Sequence, residues 1–301
     1  MVTAGRPRPQ LLPHPVSGVL HASPVAPGSG WPDDPADGST RAARTPQGVV
    51  RAAAGSRTTA QLDARVSVCR ACPRLVAWRE DVAATARRAY RDQPYWGRPI
   101  AGWGDPHAPL LVVGLAPAAH GGNRTGRVFT GDRSGDWIFA ALHRAGLAAR
   151  ERSDHAGDGQ HLTGVRIAAA VRCAPPDNLP TGEERAACAP WLDREVQLVR
   201  PRVLLALGGI AWDASLACAR RLGWAVPRPA PRFGHGARAV LALPQDDDEG
   251  GRRLRGAVHL VGSYHVSRQN TSTGRLTEAM LDEAVGRAAA LAGLPVAGPR
   301  A

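Results

Sequence analysis

Four short apolar runs along the chain have the pattern of buried parallel strands. They cover residues 110–114, 165–171, 203–207 and 257–261. Each run is almost continuous rather than alternating, as expected for a strand that is covered on both faces of its sheet. Between the runs lie helical segments, so the sequence predicts an α/β protein, a three-layer α/β/α sandwich with a central four-stranded parallel sheet.

The segments between these runs have helical periodicity. In residues 134–147 and 210–222 apolar side chains recur every three to four positions, and residues 277–291 are predicted as the C-terminal helix. Thr181 and Glu184 form a capping-box sequence that begins another helix, and Pro190 is expected to kink or split it. A first helix is predicted from residue 60 to Cys69.

Both ends of the chain lack this periodicity. Residues 1–58 are rich in Pro, Gly, Ala, Ser and Arg, a composition typical of a disordered basic tail. We therefore predict one folded domain at 59–295, a short C-terminal tail at 296–301 and a solvated charged loop at 245–255. No apolar run approaches the roughly 18 residues of a membrane span, and the N-terminus has no continuous apolar core of a signal peptide.

The composition changes this picture mainly through charge. The chain has a formal net charge of +12, and all 38 of its basic residues are Arg. Abundant Ala, Gly and Pro indicate a GC-rich coding bias, which weakens the case that each Arg was selected for a contact. A basic protein still favours phosphate-bearing partners through counterion release, so the charge supports nucleic-acid binding.

Two polar motifs follow strands and are expected at the same edge of the sheet, where ligands of open α/β sheets bind. The first motif is residues 114–132, with the polar or aromatic candidates His120, Asn123, Arg124, Arg127, Phe129 and Asp132. The second motif is residues 263–275, which contain His265. Taken alone, the glycine-rich first motif suits a phosphate loop or a long surface turn, and the second suits an ordinary loop.

Five cysteines in a chain without an export signal favour thiols or ligands over disulfides. Cys69 and Cys72 have the spacing of two thiolates that share one metal or cluster, and Cys173 and Cys188 are too widely spaced to be diagnostic. Spacing alone leaves structural zinc, an iron–sulfur cluster and unrelated thiols open. Cys218 falls in a helical pattern and is expected to be a buried core thiol.

Together the motifs resemble the type B, or family 5, uracil-DNA glycosylases, over about residues 61–291. The resemblance rests on Gly-Leu-Ala-Pro-Ala-Ala-His-Gly-Gly-Asn-Arg-Thr-Gly-Arg with Phe-Thr-Gly-Asp, on Arg-Cys-Ala-Pro-Pro-Asp-Asn, and on His-Val-Ser-Arg-Gln-Asn. It implies the uracil-DNA glycosylase fold and hydrolysis of the N-glycosidic bond of uracil in DNA, leaving an abasic site for base excision repair. Hypoxanthine and xanthine are further candidate bases. It also implies a structural [4Fe-4S] cluster on Cys69, Cys72, Cys173 and Cys188.

The resemblance assigns three catalytic residues. Asn178 would read the flipped base through its amide, and His265 would donate to the departing base anion. Other uracil glycosylases have Asp, Asn or Glu where this chain has Leu115, which cannot polarise water. Part of that role is therefore expected to fall on Asp132, whose alternative role is to cap the helix at 134–147.

The remaining assignments concern binding. Phe129 is expected to stack on the base, with a loop anchor as its alternative. Backbone amides of Gly114 and Ala116 would contribute to an anion-binding concavity. The other predicted contacts are Arg268, Gln269 and Asn270 as a loop entering the minor groove, and Arg124 and Arg127 on phosphates.

Two other classes stay open at this point. A non-catalytic iron–sulfur protein that binds nucleic acid is supported by Leu115, and a zinc-stapled nucleotide hydrolase is a weaker possibility. For the glycosylase we expect DNA with uracil or another deaminated base as partner, a monomer, no membrane association, and a cytoplasmic, nucleoid-associated location in a bacterium.

Overall fold

The computed structural model describes residues 10–244 and 256–295. The strands are β1 (Leu12–Pro13), β2 (Leu20–His21), β3 (Trp103–Gly104), β4 (Leu110–Gly114), β5 (Val165–Ala169), β6 (Val203–Leu207), β7 (Arg238–Ala242) and β8 (Ala257–Ser263). The helices are α1 (Pro46–Ala54), α2 (Thr59–Ser67), α3 (Pro73–Thr85), α4 (Gly122–Thr125), α5 (Arg133–Arg144), α6 (Gly182–Val199), α7 (Gly209–Arg221), α8 (Arg268–Ser272) and α9 (Glu278–Ala292). The described helices include none that is long and apolar enough to cross a membrane.

The main sheet has six strands in the order β3-β5-β4-β6-β8-β7. Its four central strands are parallel, and the edge strands β3 and β7 are antiparallel to their neighbours. The predicted four-stranded parallel sheet is therefore confirmed as the centre of a larger mixed sheet. The carboxyl ends of β4 and β5 are aligned, as are those of β6 and β8, so their following loops leave the same edge.

Helices cover both faces of this sheet, which confirms the three-layer prediction. Alternate residues of β4 point to opposite faces: Leu110 and Val112 join the core under α5 and α9, whereas Leu111 and Val113 join the core under α6 and α7. Burial on both faces explains why each central strand is a continuous apolar run.

The helix that begins at the predicted capping box is α6. Thr181 and Glu184 form both reciprocal hydrogen bonds of the box, which confirms that prediction. Pro190 lies inside one continuous helix, so it does not split α6, and the alternative of a kink stays a prediction. Trp191 and Val196, beyond the proline, are buried, so the second half of α6 also packs against the core.

The prediction of a disordered tail at 1–58 is wrong for residues 10–58. Helix α1 packs against α6, Trp31 is only 3% exposed within the main core, and Asp34 forms a two-bond ion pair with buried Arg98. Composition suggested disorder because Pro and Gly give no periodicity, but a few buried anchors hold this segment on the domain. Residues 1–9 and the predicted segments 245–255 and 296–301 lie outside the described residues.

Candidate active site

Two aromatic rings meet where the loops after β4 and β8 leave the sheet. The ring centroids of Phe129 and His265 are 6.4 Å apart, with the planes tilted by 40°. Both residues were predicted from separate motifs, and the structure brings them together. A flat ring and a nitrogen-bearing ring side by side can hold a planar heterocycle by stacking and hydrogen bonding.

Phe129 has an uncommon backbone conformation that two glycines make possible. Its φ of +51° is in the left-handed region, which a bulky residue rarely adopts. A Cβ on Gly114 would lie 2.8 Å from the Phe129 ring, and one on Gly135 would lie 2.0 Å from the Phe129 carbonyl oxygen. Gly114 therefore serves by letting the ring lie against the end of β4. Strain of this kind persists where the surrounding structure fixes it, which is common in functional sites.

His265 is held largely out of water at the end of β8. Burial lowers the pKa of its imidazole, so the ring is neutral at neutral pH and has one N–H donor. The side-chain amide of Asn270 donates to the His265 carbonyl oxygen at 2.8 Å. The structure thus uses the Asn270 amide to fix the His265 loop, whereas the sequence predicted it at the DNA.

Asp132 begins α5. Its Oδ1 accepts the backbone N–H of Gly135 at 3.0 Å, which confirms the predicted helix cap. Burial raises the pKa of the Asp132 carboxyl, although backbone N–H groups and Arg124 oppose the shift. A Cβ on Gly121 would lie 1.8 Å from Oδ2, so only glycine lets this oxygen approach the motif backbone. Water activation by Asp132 stays a prediction.

Three predicted site residues lie on the surface. Asn178 is exposed in a 3-10 turn, where it and Asp177 have φ values of +57° and +54°. The side chain of Asn178 makes no hydrogen bond within the ranges that the structure describes. Arg268 and Gln269 are exposed at the start of α8, five and six residues after the buried end of β8. All three are accessible to a ligand and are not held against Phe129.

The predicted phosphate contacts of Arg124 and Arg127 are wrong, because both side chains are buried. Arg124 donates to the backbone oxygens of His120 and Gly131 at 2.8 Å each, so it ties the motif to itself. Arg127 pairs with Asp158 at 2.7 Å. A guanidinium whose donors are used inside the loop cannot also face DNA, and both residues therefore shape the loop.

The segment between α3 and β3 also supports the motif, which the sequence did not predict. The Tyr95 hydroxyl lies 3.0 Å from Nδ1 of His120. Burial, followed by the charges of Arg87 and Arg124, lowers the pKa of His120. His120 was visible as a motif residue, but nothing in the sequence pattern pointed to Tyr95 as its partner.

Residues 23–34 cover the same motif from its other side. Asp33 pairs with Arg127 at 3.1 Å, and the indole of Trp31 lies so close to Gly126 that a Cβ there would be 2.8 Å from Nε1. The N–H of Val25 donates to the Trp96 carbonyl oxygen at 3.0 Å. The N-terminal segment is therefore part of the wall that positions the residues around Phe129.

The backbone of Gly114 and Leu115 continues the pairing of β4 beyond the sheet. Their carbonyl oxygens accept the N–H groups of Ala170 and Val171 at 2.9 Å each. Ala116 then turns away, half-buried. The predicted anion-binding role of the Ala116 amide stays a prediction.

Four of the five cysteines line one small cavity between α1, α3, α6 and the end of β5: Cys69, Cys72, Cys173 and Cys188. Cys218 is elsewhere, on the buried face of α7, as predicted. Burial and the neighbouring thiols raise the pKa of Cys72 to about 12, with burial the larger cause. No three or more His, Cys, Asp or Glu side chains in the described part of the chain are arranged to hold a single metal ion.

Two buried arginines line the same cavity. Arg79 donates to Sγ of Cys173 at 2.8 Å, whereas its Nε has no partner in the described part of the chain. Arg172 pairs with buried Glu195, but its Nε and Nη1 have no partner among the described residues. Unpaired buried donors are costly, so an acceptor for these N–H groups would stabilise this region.

A hydrogen bond connects the cysteine cavity to the first motif, residues 114–132. The side-chain amide of Asn123, which is fully buried, donates to the backbone oxygen of Arg79 at 3.1 Å. Arg79 in turn contacts Cys173. Any change in the packing of the four thiols is therefore expected to shift the motif as well.

Comparison with known proteins places this geometry in context. A model of the Uracil DNA glycosylase superfamily matches residues 101–289. The chain is 52% identical over 283 residues to a type-5 uracil-DNA glycosylase of Mycobacterium tuberculosis (strain CDC 1551 / Oshkosh), covering 93% of this chain and 99% of that protein. It is 50% identical over 230 residues to a type-5 uracil-DNA glycosylase of Thermus thermophilus, covering 76% and 96%. A type-4 uracil-DNA glycosylase of Pyrobaculum aerophilum shares 34% over 116 residues, which is 38% of this chain and 52% of that protein.

Proposed function

Because the chain belongs to the uracil-DNA glycosylase superfamily, we propose a role in uracil excision for each of its site residues. The enzyme hydrolyses the N-glycosidic bond of uracil in DNA. The reaction makes the sugar cation-like and the departing base anionic. The observation that carries our assignment is the meeting of Phe129 and His265 beside Gly114, because one site there can both stack a flipped base and donate to it.

His265 is the proposed donor to the leaving base. Its ring is neutral because burial lowers its pKa, so it donates a hydrogen bond without giving up a proton beforehand. The hydrogen bond from a neutral donor becomes stronger as negative charge develops on the base oxygen. It therefore stabilises the transition state more than the bound substrate, which is what accelerates the reaction. Phe129 holds the base in plane by stacking.

Asp132 is the proposed source of negative charge near the sugar. Its Oδ1 is used in the helix cap, and Oδ2 makes no hydrogen bond within the described ranges. That second oxygen is available to accept from a water that attacks the sugar, and its charge stabilises the sugar cation. Leu115 occupies the position at which other uracil glycosylases place a polar residue, so part of this role falls on the carboxylate of Asp132.

We also propose that the site accepts deaminated purines, hypoxanthine or xanthine, in addition to uracil. The support is Leu115, which sets no hydrogen-bonding demand on the base. Asn178 is proposed to read uracil from its exposed turn once DNA is bound. We also propose that the enzyme acts as a monomer.

The experiment is a panel of single- and double-stranded oligonucleotides, each with one uracil, hypoxanthine or xanthine, followed by alkaline cleavage at abasic sites. We expect strand breaks at uracil and at the two purines. Breaks at uracil alone would refute the wider base range. A protein that binds the panel but yields no breaks would be the non-catalytic nucleic-acid-binding alternative.

We propose that the four cysteines of the cavity hold a structural [4Fe-4S] cluster. The support is the common cavity of their thiols and the unpartnered N–H groups of Arg79 and Arg172, which suit a group of net negative charge. When bound, the cluster supplies iron–thiolate bonds that join α3, α6 and the segments before and between them. The residues of this chain then carry that rigidity to the motif through Arg79 and Asn123.

A further inference from the structure

An exposed turn of arginines lies beside the catalytic motif and has no role in the chemistry above. Residues 87–91, which we call the arginine turn, follow α3 and include a 3-10 helix at Arg88–Tyr90. Arg87, Arg88 and Arg91 are exposed. No carboxylate of the described residues pairs with Arg87 or Arg88, and Arg91 approaches only exposed Asp92, at 3.7 Å.

The turn is fixed to the motif. The Arg87 N–H donates to the Tyr95 hydroxyl at 3.3 Å, and that hydroxyl is bonded to His120. The Arg124 guanidinium lies over the Tyr90 ring, 4.0 Å from its centroid. The positions of these cations are therefore set by the same contacts that shape the motif.

The arginine turn also borders the cavity that contains the catalytic carboxylate. Tyr90 and Asp132 line one cavity of about 500 Å³. Another arginine of that cavity is already neutralised, because Arg152 pairs with Asp136 at 3.4 Å and with Asp154 at 3.1 Å. Arg133, which also lines this cavity and is exposed, has no carboxylate partner among the described residues. The unpaired positive charge at this rim therefore comes from Arg133 and the arginine turn together.

We propose that the arginine turn binds the phosphates of the DNA strand beside the excised nucleotide. A guanidinium matches a phosphate with two parallel hydrogen bonds, and a turn held by its neighbours loses little freedom on binding. Each neutralised phosphate releases counterions. This inference rests on the proposed use of the Phe129–His265 site for uracil excision.

The test measures binding of the full-length protein to a duplex with a tetrahydrofuran abasic site, which the enzyme cannot cut, over a range of NaCl concentrations. Arg87→Gln and Arg88→Gln should each reduce the slope of log Kd against log salt by about 0.9, the value for one phosphate contact. Arg88→Lys should keep the slope. Single-turnover uracil excision at saturating enzyme should stay within about twofold of wild type, since the turn does not touch the base.

The matched control is Arg220→Gln. Arg220 is also an exposed arginine, but it lies near the end of α7, about 16 Å along the helix from the carboxyl edge at 1.5 Å per residue. Its slope should equal that of wild type. Equal slopes for Arg87→Gln, Arg88→Gln and Arg220→Gln would overturn the proposal while uracil excision by the wild type still stands. Loss of excision at saturating enzyme would instead make the turn a support of the motif, which also overturns it.

Discussion

Replacing Asp132 by asparagine separates the two roles of this side chain. Asparagine caps helices about as well as aspartate, and its carbonyl oxygen can accept the Gly135 N–H that Oδ1 now accepts at 3.0 Å. The substitution therefore keeps α5 in place and removes only the negative charge. Because burial already raises the pKa of this carboxyl, the loss of the buried charge should not destabilise the fold.

Asp132→Asn and Asp132→Ala should differ in their effects on the rate of excision and on stability. A positioned acid–base group contributes about 10²–10⁴-fold, so Asp132→Asn should slow excision by at least about 100-fold with an unchanged melting temperature. Asp132→Ala loses the cap as well, at about 1 kcal/mol. In a domain of this size that lowers the melting temperature by about 2–4 °C.

The assay is single-turnover excision from a duplex with one uracil, run from acid to neutral pH, beside thermal unfolding of each variant. Activity needs the ionised carboxylate, so the wild-type rate should rise with pH through a limb that lies above the usual aspartate range. The asparagine variant should lack that limb. If Asp132→Asn cuts at the wild-type rate, the carboxylate is only a cap and our reasoning is refuted.

Three further predictions concern the supports of the site. Gly114→Ala should reduce the rate of excision at least about tenfold with DNA binding retained, because the new Cβ would lie 2.8 Å from the Phe129 ring and displace it. An unchanged rate would show that the position of the ring is not needed. Serine at any of the four cavity cysteines should remove iron and lower soluble yield, whereas Cys218→Ser should change neither, and equal iron in all five variants would contradict the cluster. Burial lowers the pKa of His14 to about 4 and of His155 to about 3, so the folded state keeps both neutral, and stability that is fully present above about pH 6.5 should be lost as the pH falls toward 4. The fall in melting temperature between pH 7 and pH 5 should shrink in His14→Leu, and a fall of wild-type size would count against this buried pair.

The central sheet could be predicted because burial on both faces leaves a simple record in the sequence. The edge strands leave a weaker one. Strand β7 alternates exposed and buried residues from Arg238 to Ala242, and β3 has only two residues. A two-residue strand has no periodicity to detect, and its place in the sheet depends on pairing with Ile167 and Arg166, far along the chain.

The motif could be predicted as a site, but the direction of its arginines could not. Arg124 and Arg127 looked like phosphate ligands because they stand in a glycine-rich loop of a basic protein. Their partners are a backbone oxygen seven positions away and the carboxylate of Asp158. Whether an arginine faces inward depends on such tertiary partners, and these are set by the fold rather than by local sequence.

The order of the N-terminal segment could not be predicted from the sequence for a related reason. Its order comes from separate anchors, among them Trp31 and the ion pair of Asp34 with Arg98, and not from a repeated apolar pattern. Three imidazoles also lie in this region, and the rings of His14 and His155 meet edge to face with centroids 4.3 Å apart. A Pro-rich segment that is held by a few isolated anchors has the same composition as a disordered tail.

The contact between residues 23–34 and the motif at residues 114–132 has a consequence for how the protein folds during synthesis. Asp33 and its partner Arg127 are 94 positions apart, so this segment leaves the ribosome before the motif and cannot find its place until the motif has followed it. At about 5–20 residues per second this takes roughly 5–20 s. Until then Val25 and Trp31 lack core residues, such as Val128, with which they are buried in the folded protein. The motif therefore receives support from a segment that was synthesised well before it. A nascent chain interrupted before that event carries a tryptophan without these core contacts, which chaperones can bind.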